Sequence, residues 1–416
     1  MPEEKNYFLY KKQYPDHLSI LSGHKLDLNK FIKSAIFVID ANSLLVPYNL
    51  GQESLKEIRR IYLDVLKPER LIVPAHALRE FAKHRSIKIS ELFTEVDKAL
   101  STIPVIKDLN YPILEDLKPY KDLLAFKKEF AEHIKPYKTI LKDLQASVNE
   151  WNWFDPVTQL YHDVFTASNI IETTLDEVNL IKEFEDRMNN NIPPGNQDKA
   201  KDVNSIGDFL IWKSILEYAK AKKVDIVLVT NDEKNDWMLK GNKKSISTRF
   251  ELVDEFCRYT DGQQFICLNF EDFLKIQGAQ ESVVIEVATA VVQSNQVNDY
   301  YNRLGNGLNA VNTIITSFLN NPTGPDDNYM NSDTFSSLSK NLIELLRNEE
   351  INVFLGKRAE LADKVIYNLT IMNSLNYEIH YQAIRMKRNT FNQQSDLRKL
   401  CQLTLPLIEE IEFYLI

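Results

Sequence analysis

Four short segments of this sequence place acidic residues where they could hold a metal ion. They are FVIDANSLL (37–45), VPAHALREF (73–81), IGDFLIWKSIL (206–216) and VLVTNDEKNDW (227–237). Carboxylates that converge on one point repel one another unless a cation neutralises them, and hard divalent ions such as Mg²⁺ or Mn²⁺ prefer oxygen ligands. The pattern therefore predicts a site for such an ion. The candidate ligands are Asp40, Glu80, Asp208, Asp232 and Asp236.

Two of these segments begin as apolar runs that stop at an acid. IFVID (36–40) and the run 226–230 before Asp232 are typical of buried parallel strands whose carboxyl ends meet solvent. In open α/β sheets, ligands bind at that end of the strands. Asp208 lies near the start of a predicted helix and shares a face with Ile211, Trp212, Ile215 and Ala219, so it should point towards the sheet.

Each acid also has a plainer interpretation. Asp208 could cap its helix, since acids are favoured in the first turn. Asp40, Asp232 and Asp236 could be turn residues. Glu80, between His76 and His84 on a helix, could be an ordinary surface acid. The metal hypothesis depends on all four segments falling at the expected ends of α/β elements.

The elements around these acids alternate between strand and helix. Further strands are predicted at 71–74 and 265–268, helices at 53–66, 205–222, 249–260 and 270–277, and a loop at 189–202. Such alternation predicts an α/β fold with a mainly parallel central sheet and helices on both faces.

The length of 416 residues exceeds one typical core, so more than one domain is expected. We predict an N-terminal lead-in over 1–34, an α/β domain over 35–280 with a helical insertion at about 88–190, and a mostly helical domain over 285–416. ESVVIEVATAVV (281–292) is compatible with a strand or a helix. The C-terminal helices offer few candidate ligands, which favours regulation, assembly through a protein partner or homo-oligomer, or simple covering of the sheet.

Bulk composition is that of an ordinary globular protein, with 44% hydrophobic and 26% charged residues. The net charge of −9 argues against a broad nucleic-acid-coating surface, although a bound metal could supply local positive charge. Three cysteines without paired zinc spacing fit a reducing compartment. No apolar stretch is long enough to span a bilayer and no signal peptide is evident, so a cytoplasmic location without membrane contact is expected.

Together these segments resemble PIN-domain nucleases, specifically a bacterial PIN-like group with an extended TxDxKxDW block. That block is VTNDEKNDW (229–237); IPPGNQDKAK (192–201) before GDFLIWKSIL and STRFELVDEF (247–256) also match. The resemblance covers about 35–277. Two departures are the long stretch between Glu80 and Asp208 and Met238, where this group often has a second Trp.

The resemblance implies a Mg²⁺- or Mn²⁺-dependent nuclease in which Asp40, Glu80, Asp208 and Asp232 bind the metal and carry catalysis. Asp236 is implied as an additional ligand. RNA is favoured over DNA as substrate, and endonucleolytic cleavage is expected. Candidate substrate-binding residues beside the motifs are Asn42, Ser43, Lys199, Lys234 and Arg249, with Lys201 as a further cation.

Other readings remain open. A haloacid-dehalogenase-type phosphatase would normally carry a second Asp where this chain has Asn42, and no GxGxxG or GxxxxGK[ST] follows a strand. A PIN-like scaffold that only binds nucleic acid or protein, and a DNA-cleaving nuclease, are the main alternatives. Trp151 and Trp153 could stack on an unpaired base, or could be core residues.

Overall fold

Short apolar runs rich in β-branched residues form a five-stranded sheet. The strands of the chain are β1 (Ile36–Ile39), β2 (Leu71–Pro74), β3 (Ile170–Ile171), β4 (Ile226–Val229), β5 (Met238–Gly241), β6 (Lys244–Thr248) and β7 (Phe265–Leu268). The sheet has the order β3-β2-β1-β4-β7, and every neighbouring pair in it is parallel. Strands β1, β2 and β4 are buried along their whole length, as expected where helices cover both faces. The predicted mainly parallel α/β fold is confirmed.

This computed structural model describes most, but not all, of the chain. The described residues are 8–22, 28–67, 69–103, 109–195, 206–231, 236–241, 244–320, 332–348, 351, 355, 359–381 and 391–415. Contacts divide the chain into two units. The first comprises Met1–Leu92 and Asp143–Val292, and the second comprises Phe93–Lys142 and Gln293–Ile416. The predicted boundaries at 35–280 and 285–416 stay predictions.

Helices make up most of the remaining described structure. They are α1 (Leu9–Gln13), α2 (His17–Ser22), α3 (Leu28–Ser34), α4 (Ala41–Leu45), α5 (Gln52–Leu66), α6 (Ala75–Ser101), α7 (Lys118–Glu150), α8 (Pro156–Val164), α9 (Glu177–Asn189), α10 (Gly207–Lys222), α11 (Phe250–Tyr259), α12 (Phe270–Ile276), α13 (Glu281–Asn320), α14 (Ser332–Leu346), α15 (Glu360–His380) and α16 (Phe391–Leu415). Short 3-10 turns lie at Val46–Asn49 and Pro112–Leu114. The ambiguous segment 281–292 is helical.

The core of the first unit forms where amphipathic helices meet the sheet. Helix α5 buries Leu55, Ile58, Ile61 and Tyr62 at helical spacing. Helix α10 is buried on most of its surface and ends at Lys223, which adopts a left-handed conformation with φ of 55°. Both helices contact β2, the strand that leads into the helix carrying Glu80.

Two features of the sequence interpretation need correction. The segment 88–190 is mostly helical but contains strand β3, which pairs with β2 through Val73–Ile170 and Pro74–Ile171. A two-residue strand is too short to produce a detectable alternation. In addition, the stretch after the fourth acidic segment forms the antiparallel hairpin β5–β6, which the sequence reading missed.

The second unit is helical and has its own hydrophobic core. Leu304, Leu308, Val311 and Ile315 recur at helical spacing along α13 and are fully buried. Helices α14, α15 and α16 supply the rest of this core, with Leu342, Leu369, Met372, Cys401 and Ile408 among the buried residues. The expected mostly helical C-terminal region is confirmed.

In the described part of the chain, no helix combines the length and the apolar character that crossing a membrane would require.

Candidate functional site

Asp40 directly follows β1 and is the N-terminal cap of α4. Its side chain is 3% exposed, and its Oδ1 accepts a hydrogen bond of 2.7 Å from the Ala41 N–H as the cap of α4. Its Oδ2 accepts a 2.7 Å hydrogen bond from the Thr230 hydroxyl, which follows β4. A carboxylate this buried is costly unless donors or a cation compensate it. The structure therefore holds the first predicted acid in a fixed orientation at the carboxyl edge of the sheet.

A small polar network joins the ends of β1 and β4 at this edge. Asn42 accepts a 2.9 Å hydrogen bond from the Asn231 N–H and donates one of 3.2 Å to the Thr230 hydroxyl. Asn231 in turn accepts from the Phe270 N–H at 3.0 Å, which ties in the segment after β7. The carboxyl ends of β1, β4 and β7, which are neighbours in the sheet, are thus fixed relative to one another.

Sequence reasoning missed Thr230 and Asn231 as parts of this arrangement. Both lie in the VLVTNDEKNDW segment, directly after the last strand residue, Val229. Polar residues at that position could have signalled them, because they stand at the same edge as Asp40.

Ser43 has a structural contact of its own. It is fully buried, and its hydroxyl donates to the Val229 carbonyl at 3.1 Å. This bond braces α4 against the end of β4. The predicted role of Ser43 in substrate binding stays a prediction.

Glu80 lies on α6, the helix that follows β2, and β2 is the strand next to β1. The pairing of Val38 with Ile72 brings the end of β2 level with Asp40, and α6 starts there at Ala75. Glu80 lies in the second turn of α6 with its side chain 21% exposed, and its Oε1 is 3.5 Å from the His76 Nε2. Glu80 is therefore a partly accessible acid on the helix that follows β2.

Asp208 occupies the first turn of α10 and is partly exposed. The four apolar residues predicted to share its helix face are all fully buried: Ile211, Trp212, Ile215 and Ala219. Helix α10 leads into the amino end of β4, and in such strand–helix–strand units the helix begins on the carboxyl side of the sheet. This connectivity favours a position for Asp208 near the edge where Asp40 lies.

Asp236 is fully buried in the turn before β5. Its charge acts on Arg249, whose pKa is raised above the ordinary value mainly by the hydrogen bond to Glu251, against the opposing effect of burial. The Arg249 side chain contacts both Glu251 carboxylate oxygens, at 3.2 and 2.8 Å. Arg249 and Glu251 thus form an ion pair at the start of α11, and the charge of Asp236 acts on Arg249. Their predicted roles with metal and substrate stay predictions.

Asp232, Lys199, Lys201 and Lys234 lie outside the described residues. Within the described ranges, no group of three or more His, Cys, Asp and Glu side chains is close enough to hold a metal ion. The donor chemistry nevertheless fits a hard divalent cation, because Asp40, Glu80 and Asp208 offer carboxylate oxygens and a buried Asp40 favours a compensating positive charge.

Replacing Thr230 by Val should show how strongly the network supports Asp40. Valine keeps the shape but removes a donor to a buried carboxylate, so we expect the free energy of unfolding to fall by about 2 kcal/mol. Urea denaturation measures this loss. Thr230→Ser keeps the hydroxyl and is the matched control, expected to lose about 1 kcal/mol for the missing methyl group. Equal stability of the Val variant and the unaltered chain would contradict the role given to this bond.

Comparison with known proteins identifies the family of the α/β domain. A family model described as a PIN-like domain matches residues 36–252, which is more than half of the chain and includes Asp40, Glu80, Asp208 and Asp232. Comparisons with curated proteins and with solved structures gave no significant match. The family match nevertheless spans every strand of the sheet except β7. The chain therefore belongs to the PIN-like domain family.

Proposed function

We propose that this protein is a metal-dependent endoribonuclease that hydrolyses phosphodiester bonds with Mg²⁺ or Mn²⁺. The observation that carries the proposal is the buried Asp40, held by Thr230 and Ala41 at the carboxyl end of β1 within a PIN-like domain. Proteins with this domain are generally nucleases. The preference for RNA comes from the family resemblance, and cleavage of DNA is the alternative that the assay below distinguishes.

Asp40, Glu80, Asp208 and Asp232 would hold the ion, with Asp236 as a further acid. A bound ion of this class supplies charge stabilisation at the scissile phosphate and lowers the pKa of a water molecule. The residues of this chain contribute by holding the metal-binding carboxylates in position. The Thr230 hydroxyl and the Ala41 N–H fix both oxygens of Asp40, so little reorganisation of this carboxylate is needed when substrate binds.

Cations and polar groups near the site would position the substrate backbone. Lys199 and Lys234 flank the acidic segments in sequence, and Arg249 begins α11. Phosphate contacts by such residues orient a nucleic acid without reading its sequence. Asn42 and Ser43 would act mainly by bracing the edge, since both already hydrogen-bond the end of β4.

The C-terminal region, about 285–416, is proposed to regulate or assemble the enzyme through a protein partner or a second copy. Its separate core supports an independent role. Truncation at residue 280 is a poor test, because Val283 and Val287 are buried in the core of the first unit. Light scattering on the full chain is cleaner: a mass above the 48.3 kDa of one chain supports homo-oligomeric assembly.

Removal of divalent ions should abolish cleavage. We expect the full chain to cut labelled single-stranded RNA with Mg²⁺ or Mn²⁺, and to stop in excess EDTA, because an all-carboxylate site binds no substrate phosphate without a neutralising cation. Gel analysis of RNA and DNA strands of identical sequence follows the reaction. Recovery on adding excess Mn²⁺ is the control for irreversible damage. Undiminished cutting in EDTA would defeat the metal proposal, and preference for the DNA strand would move the assignment to a DNA-cleaving enzyme.

A further inference from the structure

The turn between α7 and α8 presents two aromatic side chains to solvent. Trp153 is 57% exposed and Phe154 is 49% exposed. The two rings are adjacent and together form an exposed apolar surface, the kind of surface that can mark a binding site. The sequence left open whether the tryptophans here belong to the core, and the structure places Trp153 outside it.

The backbone holds these rings outward in a defined way. Asn152 and Trp153 have φ angles of 43° and 71°, a region that bulky residues rarely adopt. Asp155, two residues after Trp153, is fully buried and caps α8 by accepting hydrogen bonds from the N–H groups of Val157 and Thr158. Outliers of this kind persist only where the surroundings fix them, and they concentrate at binding sites.

Hydrogen bonds to Asp155 and Thr158 fix the turn that carries the two rings. The Asp155 carboxylate also accepts from the Tyr48 hydroxyl at 3.0 Å and from the Thr158 hydroxyl at 2.6 Å. Arg85 donates to the Thr158 hydroxyl at 3.1 Å. The turn that carries the exposed rings is therefore fixed by hydrogen bonds to α6, to α8 and to the turn at Tyr48.

Each ring also has a polar or cationic neighbour. The Arg85 guanidinium lies 5.4 Å from the centre of the Trp153 ring, and His162 packs edge-on against Phe154 with ring centres 5.6 Å apart. Aromatic faces combined with an arginine are the composition that stacks unpaired nucleobases while attracting the phosphate backbone. A protein-contact patch would more often be a larger, continuous apolar surface.

Position along the chain connects this surface to the candidate site. Arg85 lies five residues after Glu80 on α6, a rise of about 7.5 Å. Phe81, which follows Glu80 directly, lies under the same guanidinium at 5.8 Å. Trp153 therefore contacts the same stretch of α6 that carries Glu80.

We propose that Trp153 and Phe154, with Arg85, form a stacking platform for unpaired bases of the single-stranded substrate. This inference rests on the proposed nuclease function and deepens it, because it makes the unpaired strand the substrate class. It also assigns a role to residues that lie outside the four acidic segments.

The test measures binding and chemistry separately. All binding variants carry Asp40→Asn so that the strand stays intact, and fluorescence anisotropy gives Kd for a labelled oligouridine and for an abasic strand of equal length. We expect Trp153→Ala to raise the Kd for oligouridine about tenfold and to leave the abasic strand nearly unaffected. Trp153→Phe should retain most of the affinity. Tyr10→Ala, which removes another exposed aromatic residue of the first unit, is the matched control and should change neither Kd.

Several results would overturn the platform. They are an unchanged Kd for oligouridine in Trp153→Ala, an equal loss on both strands, failure of the parent chain to bind oligouridine, or a change in oligomeric mass without a change in RNA affinity. The last would mark a protein-contact surface instead. Cleavage of oligouridine by Trp153→Ala on the otherwise unaltered chain should show a raised KM with an unchanged kcat. If no nucleic acid is cut but the base-dependent loss is seen, the proposed function fails and the platform stands.

Discussion

Asp40→Asn is expected to abolish cleavage of single-stranded RNA while leaving the fold intact. The change removes one negative charge from the predicted metal site and preserves the side chain's shape. Loss of residues that merely orient metal ligands already costs about 10- to 100-fold, so loss of a ligand charge should cost about 100-fold or more. Initial rates under saturating Mn²⁺ measure the effect.

The fold should survive because Asn can keep a hydrogen bond to both partners of Asp40, with its NH₂ group donating to the Thr230 hydroxyl oxygen in place of accepting from it. Its side-chain oxygen can still accept from the Ala41 N–H, and Asn is as good a helix cap as Asp. Removing a buried charge also removes a desolvation cost. Urea denaturation should therefore show a free energy of unfolding within about 1 kcal/mol of that of the unaltered chain.

Two further variants make this experiment specific. Asp208→Asn should reduce cleavage similarly if both acids hold the same ion. Asp163→Asn is the matched control, because Asp163 is exposed and forms only a surface pair with Arg59 at 2.8 Å. Full activity of Asp40→Asn would remove Asp40 from the site, and a comparable loss in Asp163→Asn would show that the assay reports something other than the acidic edge.

The sequence is most informative where burial and local pattern coincide. Strands β1, β4 and β7 and helices α5 and α10 were predicted to within about two residues at each end, since their apolar residues recur with the period of the element that they form. The placement of Asp40 at a strand end follows from the same reasoning. Local pattern thus predicts both the sheet and the acid that terminates its central strand.

Features that depend on distant pairing were not predictable in this way. Strand β3 exists only because Ile170 and Ile171 pair with β2, far away in the sequence. The hydrogen bond from Thr230 to Asp40 joins residues 190 positions apart. The hairpin β5–β6 leaves Leu239 and Ile246 exposed, so hydrophobic burial does not mark it in the sequence. For β3 and for the hydrogen bond to Asp40 the decisive partner lies far along the chain, whereas the hairpin is local and is hidden by its exposed apolar residues.

The exposed Trp153 illustrates the opposite difficulty. Composition favours a core position for a large aromatic residue, and only the positive φ angles and the buried Asp155 that follows show why the ring faces solvent. Departures from local expectation of this kind are expected at functional sites.

A buried charged cluster contacts α10, the helix that carries Asp208. Arg187, near the end of α9, is 5% exposed and pairs with both carboxylate oxygens of Glu255 on α11, at 2.6 and 2.9 Å. It also donates to the Pro193 carbonyl. Glu255 in turn accepts from the Trp212 indole at 3.0 Å, one turn after Asp208. The cluster thus joins α9, α10, α11 and the loop at Pro193 through hydrogen bonds.

Arg187→Met should therefore cost about 3 kcal/mol of unfolding free energy, at the lower end for a broken buried pair because Glu255 is 20% exposed. Urea denaturation measures the loss, and Arg59→Met is the matched control, since that exposed pair contributes about 1 kcal/mol or less. Adding Glu255→Gln to Arg187→Met should recover part of the loss, because the uncompensated charge is then gone while the contact to Trp212 remains. Cleavage by Arg187→Met below its unfolding midpoint should fall as well if the cluster positions Asp208. A variant as stable as the unaltered chain would show that the cluster contributes nothing to the fold, and a destabilised variant with unchanged cleavage would separate the cluster from the site.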